Sequence, residues 1–494
     1  MESTSEKRGA ANWVTATVAL LLILVALVHG ARWRIEIGAK LGLPTVHVTG
    51  ADILIWVAFI IWLAHCIRSR HLRAFCEVPF AVCLLLGWVI LSAIPALKGS
   101  NSGITVAKAA ALREFIKLFE IFVAAYLLYA VFSHRGWMLR AVILALFVGA
   151  SASVLWACYQ YARTERAAMW VSGAFSNRNT LAAYLALILP LLFGYALWSR
   201  RLLWRAWVGL LILASLFVVS AGGQFAAMVI GLIVVAFLFR RRLALSLGIF
   251  VILLVALVFP HMPRNNSRLL FESVALYRAE DLAGALKGAL EKAQTESKSR
   301  IENLDKINTI MTSAPVETPM RQTPLELPGA HNYSWPWQQR YQEWQAAGNM
   351  IVASPLFGVG AGSYQDNVNR FYQYEYGIKL PPKYAGVNLR EDDALSMYSV
   401  WGSSVGLPAL LFMLLIVLHF FVRAVKGFRN PEPDWRGLSA GGIGALVALC
   451  IAGVFTDYLV GGVGITLAIT LGLIAASALR AREAAQSTPS EGKV

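Results

Sequence analysis

Charge is the scarcest property of this chain. Asp, Glu, Lys and Arg supply 15% of its 494 residues, against about 25% in soluble domains. Apolar residues make up 57% and fall in long runs. That balance excludes a soluble enzyme. The runs are continuous rather than alternating, which excludes an outer-membrane barrel as well. Cysteine is nearly absent. Cys66, Cys76, Cys83, Cys158 and Cys450 all lie outside the one large polar segment and lack metal-ligand spacing, so neither a disulfide framework nor a metal centre follows from them. They read as packed or cytosolic thiols. Nothing resembles a basic helix, a finger or an RNA-binding sheet, so the net charge of +16 is not a nucleic-acid footprint.

What is present is membrane text. About 20 apolar residues cross the roughly 30 Å hydrocarbon core as a helix. Twelve such runs can be read, near 13–29, 51–67, 78–97, 112–132, 140–160, 179–198, 204–221, 223–239, 243–259, 397–422, 438–459 and 461–479. The expected fold is therefore an all-α polytopic membrane protein. Transmembrane helices one to nine fill 1–259, a large helical loop fills 260–396, helices ten to twelve fill 397–480, and 481–494 is a tail. Twenty Lys and Arg, in clusters such as Arg240/Arg241/Arg242, fall on one side of these spans and eight on the other. The positive-inside rule then makes both termini cytoplasmic and places 260–396 on the opposite side. Lys7 and Arg8 ahead of the first run read as an uncleaved signal-anchor.

The segment 260–396 carries 14 Lys/Arg and 15 Asp/Glu, so it is neutral where the cytoplasmic loops are basic. Leu282, Leu286 and Leu290, then Ile301, Leu304 and Ile307, mark amphipathic helix within 272–311. Four prolines between Ser313 and Gly329 make that stretch extended. The spacing predicts a helix over 337–352, ended by Ser354-Pro355. On it Arg340 and Trp344 share a face. The run Gly358-Val359-Gly360-Ala361-Gly362 permits close backbone approach or positive φ, and by itself is weak support for phosphate binding. Nine spans precede the loop and three follow, with no period relating the halves, which argues against a transporter built from two equal repeats.

Three stretches carry a family resemblance. Arg340…Trp344 followed by Ser354-Pro355-Leu356-Phe357-Gly358-Val359-Gly360-Ala361-Gly362-Ser363-Tyr364 resembles the signature R-x-x-x-W…P-L-x-G-x-G-x-G of the O-antigen ligase and polymerase superfamily. Gly173-Ala174-Phe175-Ser176-Asn177-Arg178-Asn179, leading into Leu181–Leu185, is similar to that family's G-x-F-x-N-x-N approach to a membrane helix. Val405-Gly406-Leu407-Pro408-Ala409-Leu410-Leu411 is similar to its G-L-x-G-L-L. The motifs keep the family's order, and the resemblance extends from about residue 100 onward.

The resemblance implies a glycosyltransferase of a bacterial inner membrane, working at its periplasmic face. It implies an undecaprenyl-diphosphate-linked glycan donor, a glycan or lipid acceptor, inversion at the anomeric carbon, and no metal or other cofactor. The reaction asks for cations where the diphosphate departs, and Arg binds phosphate oxygens bidentately. It also asks for a base at the acceptor hydroxyl. Arg340 matches the family's loop arginine, and Trp344 completes that motif. Arg163, Arg166, Arg178 and Asn179 lie on the same side by the topology. Arg113 and Lys117, with Glu114 and Glu120, are ionisable groups inside span four; they serve substrate or pair among themselves as a structural lock. The family's mid-bundle Ser-Arg is replaced here by Ser220-Ala221-Gly222-Gly223-Gln224, leaving Gln224 to donate hydrogen bonds without charge. The histidine expected before span ten is replaced by Leu395, so Asp392 or Asp393 stands in as the base, with His331 a further candidate. A cation held by Glu391-Asp392-Asp393 is a minor alternative. The rival in another class is a transporter or flippase of lipid-linked glycan; a third reading is a non-catalytic assembly scaffold.

Overall fold

The computed structural model describes residues 4–28, 34–37, 46–69, 79–99, 104–132, 136–163, 171–175, 178–199, 201–219, 222–240, 336–368, 371, 373–374, 378–379, 396–456 and 463–487. The expected ninth span, the 272–311 helix and the proline stretch lie outside these residues. The architecture is a helical bundle. In chain order its helices are α1 (Thr4–Val28), α2 (Gly50–Ser69), α3 (Phe80–Gly99), α4 (Ile104–Phe132), α5 (Gly136–Arg163), α6 (Arg178–Trp198), α7 (Leu202–Val218) and α8 (Gly222–Phe239). Beyond the gap follow α9 (Pro336–Ala353), α10 (Tyr364–Val368), α11 (Met397–Ser404), α12 (Leu407–Gly427), α13 (Pro433–Ala452) and α14 (Val463–Ser487). Two short antiparallel ribbons depart from the all-α expectation. Arg34–Ile37 (β1) pairs with Val46–Thr49 (β2), and Gln373–Tyr374 (β3) with Ile378–Lys379 (β4).

Among the described residues seven helices are long and apolar enough to cross a membrane, which makes the chain compatible with a polytopic membrane protein. They are α2, α4, α5, α6, α12, α13 and α14. Within the described residues four more apolar stretches are shorter: Trp13–Val28, Phe80–Ile94, Leu202–Leu216 and Gly223–Phe239. A helix suits such sequence because it satisfies every backbone N–H and C=O within itself, which hydrocarbon does not do.

Two expected spans need correction. The run 397–422 is not one helix. α11 stops at Ser404, Gly406 takes φ 95°, and α12 starts afresh at Leu407 with Pro408 in its first turn. The left-handed backbone at Gly406 breaks the run of i to i−4 bonds, and hydropathy does not register such a break. The run 438–459 is shifted as well: α13 begins at Pro433 and ends at Ala452, where residues 453–456 turn.

At the centre stands α6, 89% of whose spanning window is buried, against 22% for the peripheral α2 and α12. A helix apolar all round belongs in such a place. Its neighbours α8 and α13 come very close, because glycines face each other. A Cβ on Gly194 would strike the backbone of Gly437 and Gly441, and one on Gly231 would meet Gly444 and Pro190. Gly437 and Gly441 are four apart, the small-x-x-x-small spacing that lets membrane helices touch backbone to backbone. Because Gly194 abuts Gly437 while Pro190 abuts Gly444, α6 and α13 run antiparallel. The same logic applies to α8, whose Gly231 meets Gly444 and whose Gly223 meets Phe455.

The starts of α6, α8 and α12 and the end of α13 therefore share one end of the bundle. At the other end, Arg205 donates to the carbonyls of Ala196, Leu197 and Ser199, capping α6. There too Arg436 donates to Asn430 O at 2.9 Å and Arg140 lies 3.6 Å from Asp434.

Candidate functional site

The stretches that carried the resemblance gather at the first of these ends. Val171–Phe175 leads into α6 as a tight turn, with Phe175 N donating to Ser172 O and Gly173 at φ 56°. Gln160, near the end of α5, clamps this turn. Its Oε1 accepts from the N–H groups of Ser172 at 3.0 Å and Gly173 at 2.9 Å, satisfying two donors that no regular element would satisfy. Phe175 then packs against Tyr184, one helical stretch on, with ring centroids 4.8 Å apart.

The glycine run after α9 has a structural task. Val359 N donates to Ser403 O and Gly360 N to Ser404 O, both at 2.9 Å, while Leu407 N donates to Pro355 O at 2.9 Å. The run thus takes up the last carbonyls of α11 and the first N–H of α12. Gly358 and Gly406 have positive φ, and a Cβ on either would collide with the opposing backbone. Trp88 of α3 ties both strands of this junction, donating from Nε1 to Leu356 O and Val405 O at 3.2 Å each. Its ring also stacks on Phe357 at 5.1 Å. The N–H groups of Val359 and Gly360 within the glycine run are consumed in this docking, which removes them as a phosphate cradle. Beside the junction α9 has a small core of its own, in which Ala346, Ala347 and Met350 pack with Tyr364 and Val368.

Gln224 sits at the start of α8 and is 1% exposed. Its Nε2 donates to Phe455 O at 3.4 Å, and among the described residues its Oε1 has no hydrogen-bond partner. Next to it, Met397 N donates to Gly453 O at 2.8 Å and Thr456 O at 3.1 Å, and Tyr398 Oη donates to Cys450 O at 2.8 Å. The beginnings of α8 and α11 are thereby fastened to the turn after α13. Among the described residues Gln224 is the one predicted site residue that is both deeply buried and left with unused hydrogen-bonding capacity.

The other predicted residues are scattered in kind. Arg178 and Asn179 form the first turn of α6, half-buried, at the same end as Gln224. Arg163 ends α5, exposed, with its guanidinium 5.0 Å from the Tyr159 ring centroid. Arg113 pairs with Glu114 at 3.3 Å on a part-exposed surface. Among the described residues Lys117 forms an ion pair with neither Glu114 nor Glu120, and the pair formed in this span is Arg113–Glu114. The reason is placement: Glu120 is turned into the bundle, whereas Arg113 and Glu114 stay at its edge. Trp344 is half-buried on α9, and Arg340 lies four residues before it on the same helix. His331, Arg166, Asp392 and Asp393 lie outside the described residues. Among the described residues no group of three His, Cys, Asp or Glu side chains is placed to hold a metal ion.

Sequence reasoning missed Gln160 and Trp88. The only signal for Gln160 was a polar side chain at the end of an apolar run, and Trp88 looked like any interfacial tryptophan. No family model matches the chain, and no curated protein matches it either.

Proposed function

We propose that the chain is an inverting, metal-independent membrane glycosyltransferase of the O-antigen ligase or polymerase type. It moves glycan from an undecaprenyl-diphosphate carrier to an acceptor hydroxyl at the periplasmic face of a bacterial inner membrane. In this reading twelve spans cross the bilayer, both termini are cytoplasmic, and 260–396 forms the periplasmic loop. One observation carries the reading. The turn before α6, the glycine run after α9 and the α11–α12 junction are ordered at one bundle end, and the buried Gln224 there has an unused acceptor. An amide oxygen in that state suits a sugar hydroxyl, which supplies the missing donor.

Chemistry assigns the remaining tasks. Arg340 neutralises the departing diphosphate, assisted by Arg178 and Asn179, while Arg163 and Arg166 attract the anionic carrier. Asp392 or Asp393 takes the acceptor proton. The glycine run holds α9, and with it Arg340, against the membrane helices.

Reconstitution tests this directly. Purified protein is given an undecaprenyl-diphosphate glycan and candidate acceptors, and wild type is compared with Arg340→Ala and with Asp392→Ala/Asp393→Ala. Transfer is expected to fall severely in Arg340→Ala and to persist in EDTA. Unchanged transfer in Arg340→Ala ends the cation role. Loss of transfer in EDTA overturns the metal-free scheme. Translocation of labelled lipid-linked glycan across the vesicle without any transfer supports a flippase instead.

A further inference from the structure

Glu120 lies in α4, nine residues into the apolar stretch Ala111–Phe132. At 1.5 Å per residue that is about 14 Å along the helix, close to the middle of a hydrocarbon core. The side chain is 7% exposed, and among the described residues its Oε1 has no hydrogen-bond partner. The charged groups that act on it are Asp52, at the head of α2, and Lys117, one turn earlier on α4. Lys117 is not in ion-pair contact with it among the described residues. Asp52 is held in place by its own helix start, where its Oδ2 accepts from Thr49 N and its N–H donates to Thr49 Oγ1 at 3.3 Å. The aromatic rings of Trp56 and Phe59 pack against Phe119 at the α2–α4 contact.

A carboxylate alone at that depth costs several kcal/mol, and membrane proteins keep such groups where they hold or pass a charge. Among the described residues Lys117 makes no ion pair with Glu120, and the Glu120 Oε1 has no hydrogen-bond partner. We propose that Glu120, with Asp52 as a second carboxyl toward the motif end, is a binding site for one monovalent cation, a proton or a sodium ion. Asp52 lies on the route by which the cation enters, and Glu120 holds it. The site is separate from the glycan-transfer reading and stands whether or not the chain transfers glycan.

The test uses the full chain in lipid nanodiscs. Infrared difference spectra are recorded on changing pH, and thermal unfolding is followed with sodium replaced by choline. If the ligand is a proton, a protonated-carboxyl C=O band appears in wild type, titrates with pH, ignores sodium, and is absent from Glu120→Gln. If the ligand is sodium, sodium raises the wild-type unfolding midpoint and suppresses that band, and both responses are lost in Glu120→Gln. Identical pH and sodium responses in wild type and Glu120→Gln overturn the proposal. Should Glu120→Gln fail to insert, Asp52→Asn decides. Its Glu120 band must persist with a displaced titration midpoint, or its sodium affinity must change severalfold, and an undisplaced response overturns the site.

Discussion

Two glutamines, alike in the sequence, do different work in the structure. Gln160 spends its carbonyl on the N–H groups of Ser172 and Gly173. Gln160→Leu leaves both donors without a partner, at about 1–3 kcal/mol for each that stays buried. A lower unfolding midpoint in nanodiscs is the expected result, along with weaker glycan transfer through the displaced start of α6. Gln224 spends only its amide N–H, and weakly, at 3.4 Å from Phe455 O. Gln224→Leu removes a buried acceptor that had no partner, so folding stability should hold or rise. Transfer should fall about tenfold if the oxygen binds a sugar hydroxyl, the worth of one hydrogen bond of about 1.4 kcal/mol. Measuring stability and transfer on the same preparation separates the two outcomes, and a Gln224→Leu protein with full transfer removes that residue from the site.

At the scale of elements, the junction of α9, α11 and α12 is built from backbone rather than from side chains. Gly406 has φ 95° and faces Leu356 O so closely that any Cβ collides. Gly406→Ala therefore combines a left-handed backbone cost of about 1–2 kcal/mol with overpacking of about 1–3 kcal/mol. Its unfolding midpoint should drop clearly, and the α9 segment should become sensitive to protease. Trp88→Phe keeps an aromatic ring over Phe357 but deletes the N–H shared by Leu356 O and Val405 O. The expected loss is about 1 kcal/mol, whereas Trp88→Ala should cost about 3–5 kcal/mol. A Trp88→Ala protein as stable as Trp88→Phe contradicts the stacking account. Hydropathy made 397–422 one span because it averages over residues. The glycine kink is a property of one φ angle and of what lies opposite it.

For the molecule as a whole, the α6–α8–α13 contact is the keystone. Gly441→Leu drives a side chain into Leu191 and Pro190 of α6. It should prevent a monodisperse fold in detergent, while Gly209→Leu, with open space around its α-carbon, should be tolerated. Size-exclusion profiles of the two variants compare them directly. The proposed orientation rests on the positive-inside rule. In a cysteine-free background, Arg178→Cys should react with an impermeant thiol reagent added from the periplasm, and Arg429→Cys only after the cytoplasmic face is opened. The reverse pattern overturns the topology.

Length and hydropathy determined that this is a helical membrane chain, because a helix in hydrocarbon needs only a long enough apolar run. They located α2 and α6 to within two residues at each end, α4 at its end but eight residues late at its start, and α5 to within four residues, and the proline-bounded pattern located α9. The motif text pointed to Gly173–Leu185, the glycine run and Gln224. It did not reveal that the N–H groups of Val359 and Gly360 bond to α11, that Lys117 makes no ion pair with Glu120 among the described residues, or that Gln160 and Trp88 hold the motif turns. Those facts depend on which distant backbone faces which side chain across helices far apart in the chain. Local composition has no access to that pairing, and only the packed bundle decides it.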